Sequence, residues 1–380
     1  VTGNDLPTIP LFAHLPLRAR APKTILILLP RQLGDILLGM PLAHALKTQF
    51  PDAHLVWYAH PMGRLLLEGH PWVDELVCYP TPRKREPAER RSFLMRVQDA
   101  VRLALAEVAF VRALRARCFD VAVDAMSNPR TALTAWVSGA AFRVSFRTRF
   151  PRTLAFHFLV PRARLAEGYV AQARLSLLEP WGLHTFPHFE ALLPCRPNEK
   201  ARVEAFLESH ALNDGRFVVC APAHRHAVRK WPAEKFAALA NALFARHGIR
   251  TVWLWGPGEE SEMRALQELS ESLKGSRGAS IVPPLLTLRE TAFLAGLSLC
   301  FVGNSNGLSH VAVAGGAKSV QIHGPTNATN WTFPVSTRHE GVQRNTGCVK
   351  CEKNSCALAR RECLEDLEVE TVFSAIERVV

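Results

Sequence analysis

The sequence predicts an α/β protein built from two Rossmann-like, doubly wound domains facing a cleft. Three observations carry this. Short apolar runs alternate with stretches of helical spacing, the pattern of mostly parallel sheets covered on both faces by helices. That alternation breaks once, over the proline-rich stretch Pro180–Lys200, and then restarts. The chain has 380 residues, more than one core organises, so two domains of roughly 150–200 residues are expected.

The elements follow in order. Residues 1–21 are proline-rich and aperiodic and read as an arm. Ile25–Leu29 is a continuous apolar run, the mark of a strand buried on both faces. The turn Pro30–Gly34 leads to a helix carrying Leu38, Leu42, Ala45 and Leu46, which stops at Phe50-Pro51. Strands follow at Leu55–Ala59 and Glu75–Tyr79, with a short helix at Gly63–Gly69 between them. A basic amphipathic helix runs over 93–117, then come a strand Phe119–Met126, a helix Arg130–Ser138 and a strand Arg143–Phe146. Beyond the break, strands are expected at Phe217–Ala221, Arg250–Trp255, Ser280–Val282, Leu299–Val302 and Ser319–Ile322. Helices are expected at Ala233–His247, Glu259–Leu273, Leu288–Leu297 and Leu308–Ala314, with a closing helix at Val369–Val379. The domains then span 22–185 and 186–360, followed by a closing segment 361–380.

Composition narrows the class. Hydrophobic residues make up 48% and charged residues 21%, which fits a folded chain rather than a disordered one. No apolar run reaches the roughly 18–20 residues that span a bilayer. No charged-then-apolar leader pattern is visible, so a cytosolic protein is expected. The net charge of +12 points to an anionic partner (nucleic acid, an acidic membrane or a phosphorylated substrate) or to a merely solvated basic surface. The excess concentrates in Arg83–Arg96, Arg112–Arg117 and Arg143–Arg164, all in the first half. Nucleic acid is disfavoured because aromatic residues do not interleave with the basic ones. Of nine cysteines, Cys78, Cys118, Cys195, Cys220 and Cys300 read as small buried thiols.

In doubly wound sheets ligands sit at the carboxyl ends of strands, and the unusual residues fall there. After the first strand, Gly34 permits a tight turn and Asp35 falls in the first turn of the helix. Asp35 is either a helix cap or a carboxylate able to take a proton from a sugar hydroxyl. No GxGxxG dinucleotide fingerprint is present. After the first strand of the second domain come His224, Arg225, His226, Arg229 and Lys230, ahead of Trp231-Pro232 and a helix start. This is either a diphosphate site or a solvated basic loop. Gly256-Pro257-Gly258 leads to Glu259 and Glu260, which fit ribose hydroxyls or simply open a helix. Asn304-Ser305-Asn306-Gly307, running to His310, is a polar turn whose amides suit phosphate oxygens. His310 reads equally as a satisfied core histidine. Gly324-Pro325-Thr326 makes a second polar turn. Cys348, Cys351, Cys356 and Cys363 have the density of a tetrahedral zinc site or of a reduced cluster; their metal is left open.

Taken together, these segments resemble the heptosyltransferase family, glycosyltransferase family 9, from about Lys23 to the end. The resemblance lies in RQLGDILLGMPLAHALKTQFPDAH, SNPRTALTAWVSGA, RKWPAEKFAALA and VGNSNGLSHVAVAGGAKSVQIHGPTN, in that order and spacing. The RQLGD opening and the Asn330-Trp331 pair after Gly324-Pro325-Thr326 are most similar to the branch that adds the third inner-core heptose. The resemblance implies a GT-B fold, an ADP-heptose donor, a lipopolysaccharide inner-core acceptor, and inversion without a metal ion or other cofactor. It implies Asp35 as general base, Lys230 at the donor phosphate, Glu260 at the ribose, and residues 304–310 around the diphosphate and sugar. His224, Arg225, Gly324 and Thr326 are expected beside the donor. Arg31, Gln32, Asn128 and Arg130 are expected on the acceptor side, with peripheral contact at the cytoplasmic face of the inner membrane. The family usually has Asp followed by Ser or Thr before the glycine of the diphosphate loop. Ser305-Asn306 replaces that pair, which removes an acidic contact to the sugar or to the loop amides. The rival readings are a nucleotide-sugar epimerase of the same architecture and a non-catalytic sugar-binding relative.

Overall fold

β1 (Thr24–Leu28) is apolar but for its first residue, and its other four residues are buried. β2 (His54–Ala59), β3 (Glu75–Cys78), β4 (Val121–Asp124), β5 (Phe142–Phe146) and β6 (Phe158–Val160) join it in a six-stranded sheet of order β3-β2-β1-β4-β5-β6. Its pairings are parallel, with Ile27 beside both Trp57 and Val123. Among its helices are α1 (Leu33–Leu37), α2 (Met40–Gln49), α3 (Phe93–Arg115) and α4 (Pro129–Val137). The computed structural model describes residues 15–30, 32–79, 93–166, 168–183, 192–272, 277–335, 337–347 and 351–380.

The second sheet repeats the plan. β7 (Phe217–Ala221), β8 (Arg250–Trp253), β9 (Ser280–Ile281), β10 (Cys300–Asn304), β11 (Ser319–His323) and β12 (His339–Gln343) run in the order β12-β11-β10-β7-β8-β9. Counted from its own first strand, this is the same 3-2-1-4-5-6 order, which is the Rossmann arrangement. Among its helices are α5 (Pro197–Ser209), α6 (Ala233–His247), α7 (Glu260–Glu271), α8 (Leu288–Leu297), α9 (Gly307–Ala314) and α10 (Val369–Val379). Alternate residues of β7 serve opposite faces. Val218 and Cys220 pack with Trp231, Phe236 and the α10 residues Phe373 and Ile376. Phe217, Val219 and Ala221 pack with Phe206, Leu294 and Ala312. The described residues divide into two units, those within 1–166 and 171–187 and those within 167–170 and 188–380.

Several expectations are corrected. The single helix after β1 is two. It breaks at Gly39, where a Cβ would come within 2.3 Å of Leu29 Cδ2, and Pro41 then opens α2 without needing an amide partner. β6 and β12 were not expected, nor was α5, which begins inside the stretch read as linker. Residues 1–14 of the expected arm lie outside the described residues. Within 15–21, Leu15 and Ala19 are buried: the short helix Leu17–Arg20 turns Ala19 inward, and the Ala19 carbonyl accepts from Trp181 Nε1 at 2.8 Å. Cys220 and Cys300 are buried thiols as read, and burial pushes Cys300 up to about 12. Cys118 is instead exposed. α3 is amphipathic in sequence, but Val101, Leu105 and Val108 are exposed while Leu114 is buried.

Candidate active site

In each sheet the strand order reverses between its first and fourth strands, where loops part and leave a crevice. In the first unit this point lies between β1 and β4, and Asp35 follows β1. Its helix has Gln32 at the N-cap position with no side-chain cap, so Asp35 does not cap it. The Asp35 carboxylate is instead held by Arg174, whose Nη2 lies 2.8 Å from Oδ1. Arg174 Nη1 also donates to the Asp35 carbonyl at 2.8 Å. The arginine side chain is 5% exposed and that of Asp35 19%, so a rigid buried fork fixes a carboxylate whose edge still meets solvent. Arg174 carries no local motif; only the fold brings it across 139 positions.

The residues expected on the acceptor side make mostly structural contacts. Gln32 is exposed beside Asp35. Asn128 caps α4: its side chain accepts from Thr131 N at 2.9 Å, and Thr131 Oγ1 accepts from Asn128 N. Arg130 donates to the Tyr58 hydroxyl at 3.1 Å, pairs with Glu107 at 3.0 Å and lies over the Tyr79 ring. Arg31 lies outside the described residues. Behind this edge Asp124, fully buried at the end of β4, accepts from Met126 N and Ser127 N. Burial pushes its carboxyl up to about 6 against the lowering effect of those amides.

In the second unit the reversal lies between β7 and β10, and one amide stitches the two strand ends together. Asn304, with no exposed surface, accepts from Trp231 N at 2.9 Å and donates to the Pro222 carbonyl at 2.6 Å. It thereby braces the ends of β7 and β10. Asn306 is the N-cap of α9; its Oδ1 accepts from Leu308 N at 2.8 Å and Ser309 N at 3.3 Å, and its Nδ2 donates to the Ala223 carbonyl. The loop amides expected to lack an acidic partner are therefore held by Asn306. Ser305 is half-buried, its amide bound to the Ile322 carbonyl, while Gly307 is exposed at the helix start. Gly324 and Thr326 are buried. A Cβ on Gly324 would strike Leu364 at 2.8 Å, and Gln343 Nε2 donates to both their carbonyls. Thr326 Oγ1 also meets His323 Nδ1. Both residues are thus held by internal contacts. His310 is buried near Trp331, in keeping with a core histidine.

The basic loop is less charged than its sequence suggests. His224 Nδ1 accepts from His226 N at 3.0 Å. Burial first, then the charges of Arg229 and His226, lower its pKa to about 4. His224 is therefore neutral at pH 7, with Nε2 as a donor. Arg225 is exposed and its Nε donates to His226 Nε2. Lys230 pairs with Glu262 at 2.8 Å, a partner not read from the sequence. Glu260 pairs with Arg264 one turn on. Arg361 Nη1 binds the Lys230 carbonyl at 3.0 Å and also that of Ala227. A recess of about 470 Å³ lies on this flank, lined by Lys230, Trp231, Glu262, Met263 and Leu266 but by none of residues 304–310. Of the cysteine cluster, Cys348 lies outside the described residues, Cys351 and Cys356 are exposed, and Cys363 is buried. Among the described residues no three His, Cys, Asp or Glu side chains gather as a metal set.

Paired Rossmann domains with these strand-end sites are the architecture of a GT-B glycosyltransferase. Residues 108–361 match the profile of glycosyltransferase family 9 (heptosyltransferase), and the chain belongs to that family. It is similar to lipopolysaccharide heptosyltransferase 3 of Escherichia coli, 24% identical over 78% of this chain and 82% of that one. It is likewise similar to lipopolysaccharide heptosyltransferase 2 of Salmonella typhimurium, 24% identical over 94% and 98% of the two chains. Among solved structures, a family 9 glycosyl transferase from Veillonella parvula superimposes with a TM-score of 0.72 at 20% identity, covering 95% of this chain and 98% of that one. The E. coli ADP-heptose lipopolysaccharide heptosyltransferase II gives 0.69 at 18% identity over 94% and 98%.

Proposed function

We propose that this enzyme transfers heptose from ADP-heptose to the lipopolysaccharide inner core with inversion at the anomeric carbon, Asp35 acting as general base. The observation that carries this is a partly exposed carboxylate after β1 gripped by the buried Arg174. As the acceptor oxygen attacks the anomeric carbon, Asp35 takes the hydroxyl proton, through Oδ2, the oxygen Arg174 does not hold. The bond from the anomeric carbon to the diphosphate oxygen breaks, and negative charge grows on ADP. Lys230, the neutral His224 Nε2–H and the Gly307 amide at the start of α9 are suited to take that charge. Lys230 exchanges Glu262 for phosphate as the donor binds. The acceptor carries lipid, so the enzyme works at the cytoplasmic face of the inner membrane; among the described residues no helix is long and apolar enough to cross a bilayer.

The test is incubation with ADP-heptose and truncated core acceptors, following ADP release and product mass. Asp35→Asn should lower turnover by about 10²–10⁴-fold while donor binding persists. Full transfer by Asp35→Asn would remove the base assignment. Conversion of donor without acceptor would favour an epimerase. Donor binding without turnover, with every acceptor, would favour a sugar-binding relative, the reading that Ser305-Asn306 keeps in play.

A further inference from the structure

The first unit carries an exposed surface that neither the base nor the donor site uses. Four large apolar side chains project from α4 and the turn that follows β5: Leu133 is 57% exposed, Trp136 60%, Phe150 78% and Leu154 71%. The short helix Arg152–Ala155 of that turn packs on α4. Arg152 Nη1 and Thr148 Oγ1 both bind the Ser127 carbonyl, at 2.9 and 3.3 Å, which fastens the turn to the start of α4. The knobs therefore stand on a rigid base. Monomeric proteins seldom spend so much large apolar surface without a partner.

The charge around this surface is one-sided. From residue 125 to 166 the sequence holds seven arginines and no acidic residue. Arg130 is occupied by Glu107 and Arg164 by Glu179, and Arg143 binds the Ala140 and Ala155 carbonyls. Arg147 and Arg149 are exposed beside Phe150.

We propose that this face of α4 and residues 147–155 docks on an anionic phospholipid bilayer, with the apolar side chains entering the headgroup boundary and the arginines meeting lipid phosphates. The inference rests on the lipid-acceptor reading above and names the surface through which that reading is carried out. Three features favour a bilayer. Trp and Phe beside cations form an interfacial anchor, and anionic lipid attracts such cations within a Debye length. Leu133 and Leu154 offer nothing for bases to stack on, which argues against nucleic acid. A two-fold contact between copies would set arginines against arginines, which argues against self-association.

The test uses the full chain and vesicle co-sedimentation. Wild type should bind phosphatidylglycerol-containing vesicles and not pure phosphatidylcholine. The triple variant Trp136→Ser, Phe150→Ser, Leu154→Ser should bind the anionic vesicles at least roughly tenfold more weakly, since each ring or branched chain removed forfeits its burial. Arg147→Glu with Arg149→Glu should weaken binding at low salt and lose its effect at high salt. Both variants should transfer heptose to a deacylated, lipid-free core acceptor within about twofold of wild type, because exposed changes leave the fold intact. Wild-type-like vesicle binding by the triple variant would overturn the proposal. So would a loss of heparin and vesicle binding that follows the arginines alone. A triple variant that turns a dimer into a monomer while still binding vesicles would make the face a self-contact, which also overturns it. If wild type transfers to no acceptor while the vesicle pattern appears as stated, the docking surface stands and the transfer reading falls.

Discussion

Arg174 grips Asp35 twice, once through the carboxylate and once through the main-chain carbonyl, both at 2.8 Å. Two contacts from one planar guanidinium fix both the position of α1's first turn and the direction of the carboxylate. Arg174→Ala leaves a largely buried carboxylate without its partner, and the expected loss is about 3–5 kcal/mol of stability together with most of the transfer rate. Arg174→Lys offers one point charge in place of a fork and should recover stability better than rate. Denaturant unfolding and single-turnover rates measure both; an Arg174→Ala protein matching wild type in each would show that the pair is incidental.

Lys230 and Glu262 form the opposite kind of pair, exposed by 33% and 47%. Such pairs are weak and screened by salt. Glu262→Gln should free Lys230 for phosphate and tighten ADP binding by about two- to fivefold at low ionic strength, with the gain fading in salt. Lys230→Ala should weaken binding. Titration calorimetry decides, and an ADP affinity that drops in Glu262→Gln would mean the carboxylate orients the lysine instead of competing for it.

Asn306 caps α9 with its side-chain oxygen. Asn306→Ala should cost about 1 kcal/mol, the usual loss for a missing N-cap, and loosen the amides of 307–309. Asn306→Asp keeps an oxygen cap favoured by the helix dipole but turns a carboxylate oxygen toward the Ala223 carbonyl that Nδ2 serves, so it should recover only part of that stability, and it should weaken ADP binding by placing a negative charge next to Gly307. The two variants thus separate packing from charge, and equal ADP affinity in Asn306→Asp and wild type would place the diphosphate away from this turn.

Asp124 predicts a pH signature. Its folded carboxyl titrates near 6 because burial disfavours the charge, while an unfolded aspartate titrates near 3.9. The folded state therefore binds more protons between those values. Its contribution is favourable below about pH 4. It is lost as pH rises through 6, a change of about 3 kcal/mol. Asp124→Asn should gain stability relative to wild type on going from pH 4.5 to 7.5. Urea unfolding at the two pH values checks this, and a constant difference between the proteins would mean the carboxyl is not titrating there.

The buried parallel strands were legible because each is a short apolar run, and β7, α6, α8 and α10 match the expected bounds. β12 was not legible. Its residues, HEGVQ, form a polar edge strand of mixed burial, without the apolar signature of its neighbours. α5 was hidden by its own start signal: Pro197 at its first position reads as linker punctuation beside the other prolines. Its core face, Val203, Phe206 and Leu207, nonetheless has helical spacing. At the candidate site, sequence spacing pointed to Asp35, Lys230 and the 304–307 turn as candidates. It did not separate Asn304 and Thr326, which brace, from Gly307, which is open, because that division depends on burial. Arg174 and Glu262 were missed because each meets its partner only through the fold.

Lys230 is also held from behind by the end of the chain. Arg361 binds carbonyls of its segment, the Leu367 carbonyl accepts from Trp231 Nε1, and Lys235 reaches the Glu365 and Leu367 carbonyls. Drift in these closing residues, remote in sequence from any substrate group, is thus transmitted to the cationic loop. A substitution among residues 361–367 should therefore displace the backbone of residues 227–231.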